Sequence, residues 1–407
     1  MKRFLSRVLP LLLSFGLIFN CTGCSTVLVL AGKARENSEA SSSVISESSA
    51  SSGVISTPVP TEDGDLRAFY TDVANAESVT VMVYMIGSDL ESEDGSATDD
   101  LLEMADAALS ENVHLVLQTG GTETWWNDVC TDDESERFVI ENGDMTLLQS
   151  LGSMNMTDAD TLSDFIRFSA ESYPADRYEL ILWDHGGGTM TGFGYDELYE
   201  DTSLTLSSLS TALYNGGVQF DFIGFDACLM ATAEVAYALD PYADYLIASE
   251  ESEPGEGWAY KNWLTMLAED PAVPTAELGK KLADDFLEAY IFADMPTLSV
   301  LDLRYVPELY AALESYWESA YTALQNGSYG ALSQVRSHVR EFGDNEYDQV
   351  DLSDLTVQTK LELPLGTEDD VQAAVQNMVV YNVTYEKSAA GIAVYFPCLW
   401  PDYYGDT

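Results

Sequence analysis

Two side chains in this sequence, His185 and Cys228, are of the types that perform nucleophilic chemistry together. The chain has 407 residues but only three histidines and five cysteines. His185 closes the apolar run "YELILW" and is followed by three glycines, Gly186 to Gly188. Cys228 follows a second apolar run in "VQFDFIGFDACLMATAEVAYAL". Taken singly, each also suits a buried structural role, since cysteine is among the most buried residue types. As a pair at two strand ends they are a thiol and the base that activates it. A helix opening at Cys228 would lower the thiol pKa through its dipole, and the charge of Asp226 would oppose that shift. His114 lies inside a strand, and His338 sits between Arg336 and Arg340 on a helix. Both read as structural or solvated, which leaves too few ligands for zinc.

The elements that must position the pair alternate between strand and helix. "SVTVMVYMIG" reads as a buried strand, "ATDDLLEMADAAL" as a helix, and "NVHLVLQTGG" as a second strand. A hairpin turns at Asn142-Gly143. "TDADTLSDFIRFSAESYP" is an amphipathic helix opened by a capping residue and closed before Pro174. Further strands are expected at "YELILW", "VQFDFIGF" and "ADYLIASEE", with helices near Ser207 to Leu213 and over "CLMATAEVAYAL". Nearly continuous apolar strands between helices predict an α/β fold, with a mostly parallel sheet covered on both faces. Ligands in such sheets bind at the carboxyl ends of the strands, where His185 and Cys228 both fall. Beyond Trp258, helices are expected at Thr275 to Ile291, Val306 to Gln325 and around Val371 to Tyr381, with strands "TLSVLDL" and "AAGIAVYFP". These additional C-terminal α/β elements either extend the sheet or form a helical subdomain.

Residues 1–23 carry an export leader. Met1 to Arg7 is basic, Leu9 to Phe19 is apolar but too short to span a membrane, and "CTGC" follows. The Thr-Gly pair before Cys24 resembles the lipobox of bacterial lipoproteins, which implies lipidation of Cys24; Cys21 stands where Leu is usual. Residues 24–77 form a Ser-rich flexible tether that cannot bury enough surface to fold. The folded part is expected from Ser78, with a core over 78–270 and the C-terminal extension over 271–407. The expected location is extracytoplasmic, anchored by lipid to the membrane. A net charge of −52 argues against nucleic acid and favours cationic partners or plain solubility. Outside the leader region only Cys130, Cys228 and Cys398 remain, an odd number, and nothing in the sequence places Cys130 beside Cys398.

The Gly-rich run "HGGG" also occurs as an oxyanion motif in α/β-hydrolases, but no Gly-x-Ser-x-Gly pentapeptide accompanies it here. An apolar run plus His-Gly, then an apolar run plus Asp-Ala-Cys, resembles the signature of caspases, legumains, gingipains and clostripains. The pair is 43 residues apart, comparable with the spacing of about 50 in caspases. "MVYMIGSDLE", "TGGTETWW", "LILWDHGGG", "GFDACLMATAEVAYAL" and "SEESEPGEGWAY" resemble blocks of the clostripain family in particular.

That resemblance implies a caspase-like fold and a cysteine endopeptidase acting on protein or peptide substrates with basic residues. Cys228 would be the nucleophile and His185 its base and proton donor, with Gly186 and Cys228 N–H groups as the oxyanion hole. Asp226 would line a pocket for Arg or Lys, with Glu250 and Glu253 as further acidic contacts among Glu251 and Glu256. Asp184 is a poor third member, because neighbours on a strand point to opposite faces. No cofactor is required. Calcium dependence is known in the family, and "DLESEDGSATDD" is carboxylate-rich without an EF-hand pattern. Trp125 and Trp126 suit a cleft border or packing alike. Relatives are often activated by cleavage at a basic residue between His and Cys. Here Tyr178 to Tyr260 contains no Lys or Arg, so a single-chain enzyme is expected. Relatives also carry a further helical segment beyond the last strand, which leaves open whether this chain is truncated. The competing expectations are an inactive peptidase-fold lipoprotein acting as a binding or adhesion module, and a solute-binding lipoprotein.

Overall fold

The computed structural model describes residues 66–199, 202–290, 296–343, 346–385 and 387–398. The leader, Cys24 and the tether up to residue 65 lie outside the described residues. Folding begins earlier than Ser78. Arg67 pairs with Asp240 and Asp244, and the Tyr70 and Thr71 N–H groups donate to Asp244. Phe69 stacks on Tyr245 under the Arg304 guanidinium. The sequence from Leu66 therefore belongs to the fold rather than to the tether, because two buried carboxylates need these donors.

The strands are β1 Val79–Ile86, β2 Val113–Gly120, β3 Glu136–Glu141, β4 Asp144–Ser150, β5 Arg177–Trp183, β6 Phe220–Asp226, β7 Ala243–Ala248, β8 Thr297–Asp302, β9 Glu341–Phe342, β10 Gln349–Asp351, β11 Val379–Thr384 and β12 Ala393–Tyr395. Nine form one sheet in the order β11-β8-β7-β6-β5-β1-β2-β3-β4. The middle strands β7, β6, β5, β1 and β2 are parallel, and the flanking strands are antiparallel. This is the mostly parallel α/β sheet expected. The side-chain period of two divides the core cleanly. Met82, Tyr84 and Ile86 of β1 face one layer, while Val79, Val81, Val83 and Met85 face the other.

Helices Ala159–Ser172, Leu206–Gly216 and Ala233–Leu239 cover the first face. Helices Ser96–Ala105, Tyr260–Glu269 and Thr275–Ala289 cover the second. The three helices of the first face follow the capping rule: Asp158, Thr205 and Thr232 each accept a backbone N–H of the first turn. The Asn142-Gly143 hairpin forms as expected, both residues at positive φ.

The C-terminal third is not a separate lobe. β8 and β11 extend the main sheet, and Val306, Leu309, Tyr316, Val335, Val339 and Val350 join its first core layer. The strand expected at "AAGIAVYFP" instead joins a small antiparallel sheet, β12-β10-β9. That sheet abuts the main one through the bridge Thr232–Ala393.

Candidate active site

Pairing register sets the site. Met85 of β1, Trp183 of β5 and Asp226 of β6 stand level across three adjacent parallel strands. His185 and Cys228 each lie two residues past that level, so they emerge side by side at the carboxyl edge of the sheet. Gly186 makes the approach possible: a Cβ there would sit 2.0 Å from the Cys228 carbonyl oxygen. The Gly186 N–H donates to no acceptor among the described residues.

Cys228 does not begin a helix. The helix starts only at Ala233, and Cys228 lies in a turn where Leu229 adopts φ +68, a conformation disfavoured for a branched side chain. A helix dipole therefore does not act on this sulfur. The turn is clamped instead. Leu229 and Ala231 N–H groups donate to Glu251 and Ser249 carbonyls, and Ala393 donates to Ala231. Phe342, Tyr347, Ala389 and Ala393 of the C-terminal part pack with Cys228 and Leu229 in a small cluster of their own.

An open groove between imidazole and sulfur is not what the chain forms. His185 is 4% exposed and Cys228 7%. The segment after β7 closes over the thiol, and the Glu253 N–H donates to Sγ at 3.2 Å. The C-terminal sheet holds that segment from behind: Arg340 pairs with Glu251 at 3.0 Å, and the Gly343 N–H donates to the same carboxylate.

His185 presents Nε2 to Asp89 Oδ1 at 2.6 Å. Burial disfavours the charged ring, but the Asp89 hydrogen bond and the charges of Asp184, Asp89 and Cys228 outweigh it, pushing the imidazole up to about 9. Asp89 is partly buried, which works against its charge, yet the His185 contact holds its carboxyl below the usual range. Asp184, as expected, is turned away, its carboxylate accepting the Tyr195 N–H.

Beside the sulfur lies a group of buried carboxyls. Asp226 accepts from the Trp258 N–H at 3.0 Å and the Tyr260 hydroxyl at 2.7 Å. Asp100 accepts from Trp183 Nε1 at 2.6 Å. Gly257, at φ +65, leaves its missing side chain between them: a Cβ would fall 2.7 Å from Asp100 Oδ2 and 3.0 Å from Asp226 Oδ2. Glu253 hydrogen-bonds Asp226. Desolvation pushes all three carboxyls up, Asp226 to about 7, and their mutual repulsion adds to the shifts of Asp100 and Glu253. Among the described residues no Lys or Arg pairs with Asp100 or Asp226. Glu250 points elsewhere. Its carboxylate accepts the Gly391 N–H and shares a hydrogen bond with Asp351, at the joint with the small sheet.

Sequence reasoning missed Asp89 and Asp100 as site residues, both being carboxylates in a very acidic chain. The signal that could have found Asp89 is its place inside the "MVYMIGSDLE" block. Within the stretch Asp89 to Asp100, the Glu91 carboxylate accepts the Thr98 and Trp126 N–H groups. Among the described residues no group of three or more His, Cys, Asp or Glu is arranged to hold a metal ion. Trp125 is buried, whereas Trp126 is 60% exposed, its Nε1 donating to Ser92. Cys130 is buried in the second core layer and Cys398 is exposed beside Asp348, and both are free thiols.

Residues 83–395 match a family model described as "Clostripain family". Over 123 residues the chain is 35% identical to clostripain of Hathewaya histolytica; the match covers 26% of this chain and 23% of that relative's length. A secreted C11 cysteine protease from Bacteroides thetaiotaomicron, solved in complex with an irreversible peptide inhibitor, superposes with a TM-score of 0.61 at 18% identity, over 79% of this chain and 93% of that one. An inactive zymogen C11 protease from Parabacteroides distasonis does so with a TM-score of 0.60 at 21% identity, over 82% and 96%. At these identities the likeness to the solved structures is one of fold.

Proposed function

The chain belongs to the clostripain family of cysteine peptidases, and from that premise we propose that it is an endopeptidase cleaving after Arg or Lys, with Cys228 and His185 as its catalytic pair. The carrying observation is the side-by-side emergence of imidazole and thiol at the carboxyl edge of β5 and β6, with unneutralised buried carboxyls beside them.

In the reaction, the Cys228 thiolate attacks the scissile carbonyl carbon. The carbonyl electron pair moves onto oxygen, which the Gly186 and Cys228 N–H groups receive. The His185 imidazolium gives its proton to the leaving amine as the C–N bond breaks, leaving a thioester and neutral imidazole. Water then attacks the thioester carbon and gives a proton to His185. The C–S bond breaks, and thiolate and imidazolium return. No step uses a cofactor.

Asp226 and Glu253 would meet the side chain before the cut. A guanidinium entering between them would offset the desolvation that keeps their protons on, and it can pair with a carboxylate through two N–H groups. Cleavage requires the Glu253 segment to move off the sulfur. Because Tyr178 to Tyr260 lacks Lys and Arg, that movement comes without self-cleavage between the pair.

Cys24 would carry lipid that tethers the enzyme outside the cytoplasm; no helix among the described residues is long and apolar enough to cross a membrane. Loss of labelled fatty acid in Cys24→Ser would support the anchor, and unchanged labelling would overturn it. The deciding measurement for function is turnover of Arg, Lys and Leu reporters by the full chain and by Cys228→Ala. Arg or Lys turnover that vanishes in the variant is expected. Preference for Leu would overturn the specificity, and turnover retained in the variant would overturn the nucleophile. An inert wild-type chain that also resists an Arg-directed covalent label would point to a binding module instead.

A further inference from the structure

We propose that Asp89 is a positioning residue for the reaction, its carboxylate orienting the His185 ring and keeping the proton that ring must deliver. This rests on the assignment of Cys228 and His185 above and deepens it.

The topology makes the case. β5 lies between β6 and β1, so the residues beyond their carboxyl ends follow the order Cys228, His185, Asp89 across three neighbouring strands. Asp89 reaches its place because the chain turns sharply after β1. Ser88 takes φ +50 although it is not glycine, and Asp89 falls in the first turn of the short helix Ser88–Ser92. A strained residue held at a sheet edge is a feature that packing alone does not require. The result is a 2.6 Å contact between Asp89 Oδ1 and His185 Nε2.

An imidazole anchored through Nε2 turns its other nitrogen, Nδ1, away from β1 and toward the β6 side, where the sulfur lies. Fixing one ring nitrogen fixes the tautomer and orientation of the other. The Asp89 side chain keeps 20% exposure, so it can stay ionised opposite the imidazolium. The other groups facing the ring are Asp184 on its own strand, Cys228 on the β6 turn and the Tyr195 ring at 6.3 Å, with Glu253 beyond the sulfur. Asp184 lies in sequence contact with His185, but its carboxylate is engaged by Tyr195, so Asp89 is the one that anchors the ring.

The test compares Asp89→Asn and Asp89→Glu with wild type. In a thiolate–imidazolium pair, loss of the imidazolium proton sets the alkaline limb of kcat/KM. Asp89→Asn is expected to lower kcat roughly 10- to 1,000-fold with KM changed less than about twofold. Its alkaline limb should move down by about one pH unit or more, and Asp89→Glu should restore part of both. Independently, the His185 NMR titration midpoint in the inactive Cys228→Ala background, assigned with His185→Gln, should fall when Asp89→Asn is added. An unmoved alkaline limb or titration midpoint would overturn the proposal, even if activity fell. Should Asp89→Asn fail to fold, Asp89→Glu carries the same test: its alkaline limb and His185 midpoint must fall by less than about one pH unit, and both unmoved would overturn the proposal. Retained turnover in Cys228→Ala alone would instead sink the underlying assignment.

Discussion

β5 and β6 bury charge at both of their ends, and the two ends are treated differently. At the amino end, Arg177 is fully buried between Glu179 and Asp221, and it donates to the Pro271 and Val273 carbonyls at 2.7 and 2.9 Å. The Thr275 hydroxyl completes Asp221. At the carboxyl end, Asp100, Asp226 and Glu253 are buried with indole, amide and hydroxyl donors but with no arginine on Asp100 or Asp226. One aspartate of β6 has its cation within the fold. The other, five positions along, is paired with no Lys or Arg among the described residues. A buried carboxyl without a cation is kept protonated at a cost to stability, which is the ground for the substrate role proposed for it. Arg177 on Asp221 is the chain's own example of what a substrate arginine would do on Asp226.

The contrast can be broken hardest at the structural end. Arg177→Met leaves Glu179 and Asp221 buried without their cation and should cost about 3–5 kcal/mol in denaturant unfolding. Activity per folded molecule should stay near wild type; a changed cleavage preference would abolish the distinction between the ends. At the other end, Asp226→Asn should lower kcat/KM on an Arg reporter about 100-fold, leave a Leu reporter nearly unchanged and shift stability at pH 7 by less than about 1 kcal/mol. A stability loss matching that of Arg177→Met would make Asp226 structural too.

The third test is pH. Burial raises Asp226 and Asp184 to about 7, above their unfolded range near 4. The folded chain therefore holds protons that the unfolded chain has released. Stability from these groups is complete below about pH 4 and declines as pH rises through 7, by up to about 1.4 kcal/mol per group per unit. Melting temperature should fall over that interval, with a shallower slope in Asp226→Asn. An equal slope in the variant would remove Asp226 from the set. The smallest effect belongs to the clamp behind the cleft. Arg340→Ala removes a partly exposed ion pair with Glu251 and should raise the iodoacetamide alkylation rate of Cys228 about threefold. No change would mean that the clamp does not limit access to the sulfur.

Much of this was legible because strong local signals agreed. The apolar runs fixed the buried strands, Asn142-Gly143 the hairpin, and Asp158 the start of its helix. His185 and Cys228 could be picked out because their types are rare and strand ends are where parallel sheets present chemistry. Asp89 was hidden because β1 and β5 pair although β2, β3 and β4 come between them in sequence. The turn at Cys228 read as helix because "CLMATAEVAYAL" is apolar at helical spacing, yet the pull of Ser249, Glu251 and Ala393 on its backbone overrides that preference. β9 and β10 are two and three residues long, too short to show alternation, so only β12 of the sheet behind the sulfur was legible. Glu250 was grouped with Glu253 by proximity, but in the irregular segment after β7 the Glu250 carboxylate accepts the Gly391 N–H while that of Glu253 hydrogen-bonds Asp226.

The packing of Phe342, Tyr347, Ala389 and Ala393 around Cys228 and Leu229 joins parts of the chain that are far apart in sequence. A nascent chain acquires His185 and Cys228 early, with β5 and β6, whereas the residues that seat the sulfur are made much later. The surroundings of the thiol are therefore finished last, long after the strands that carry it.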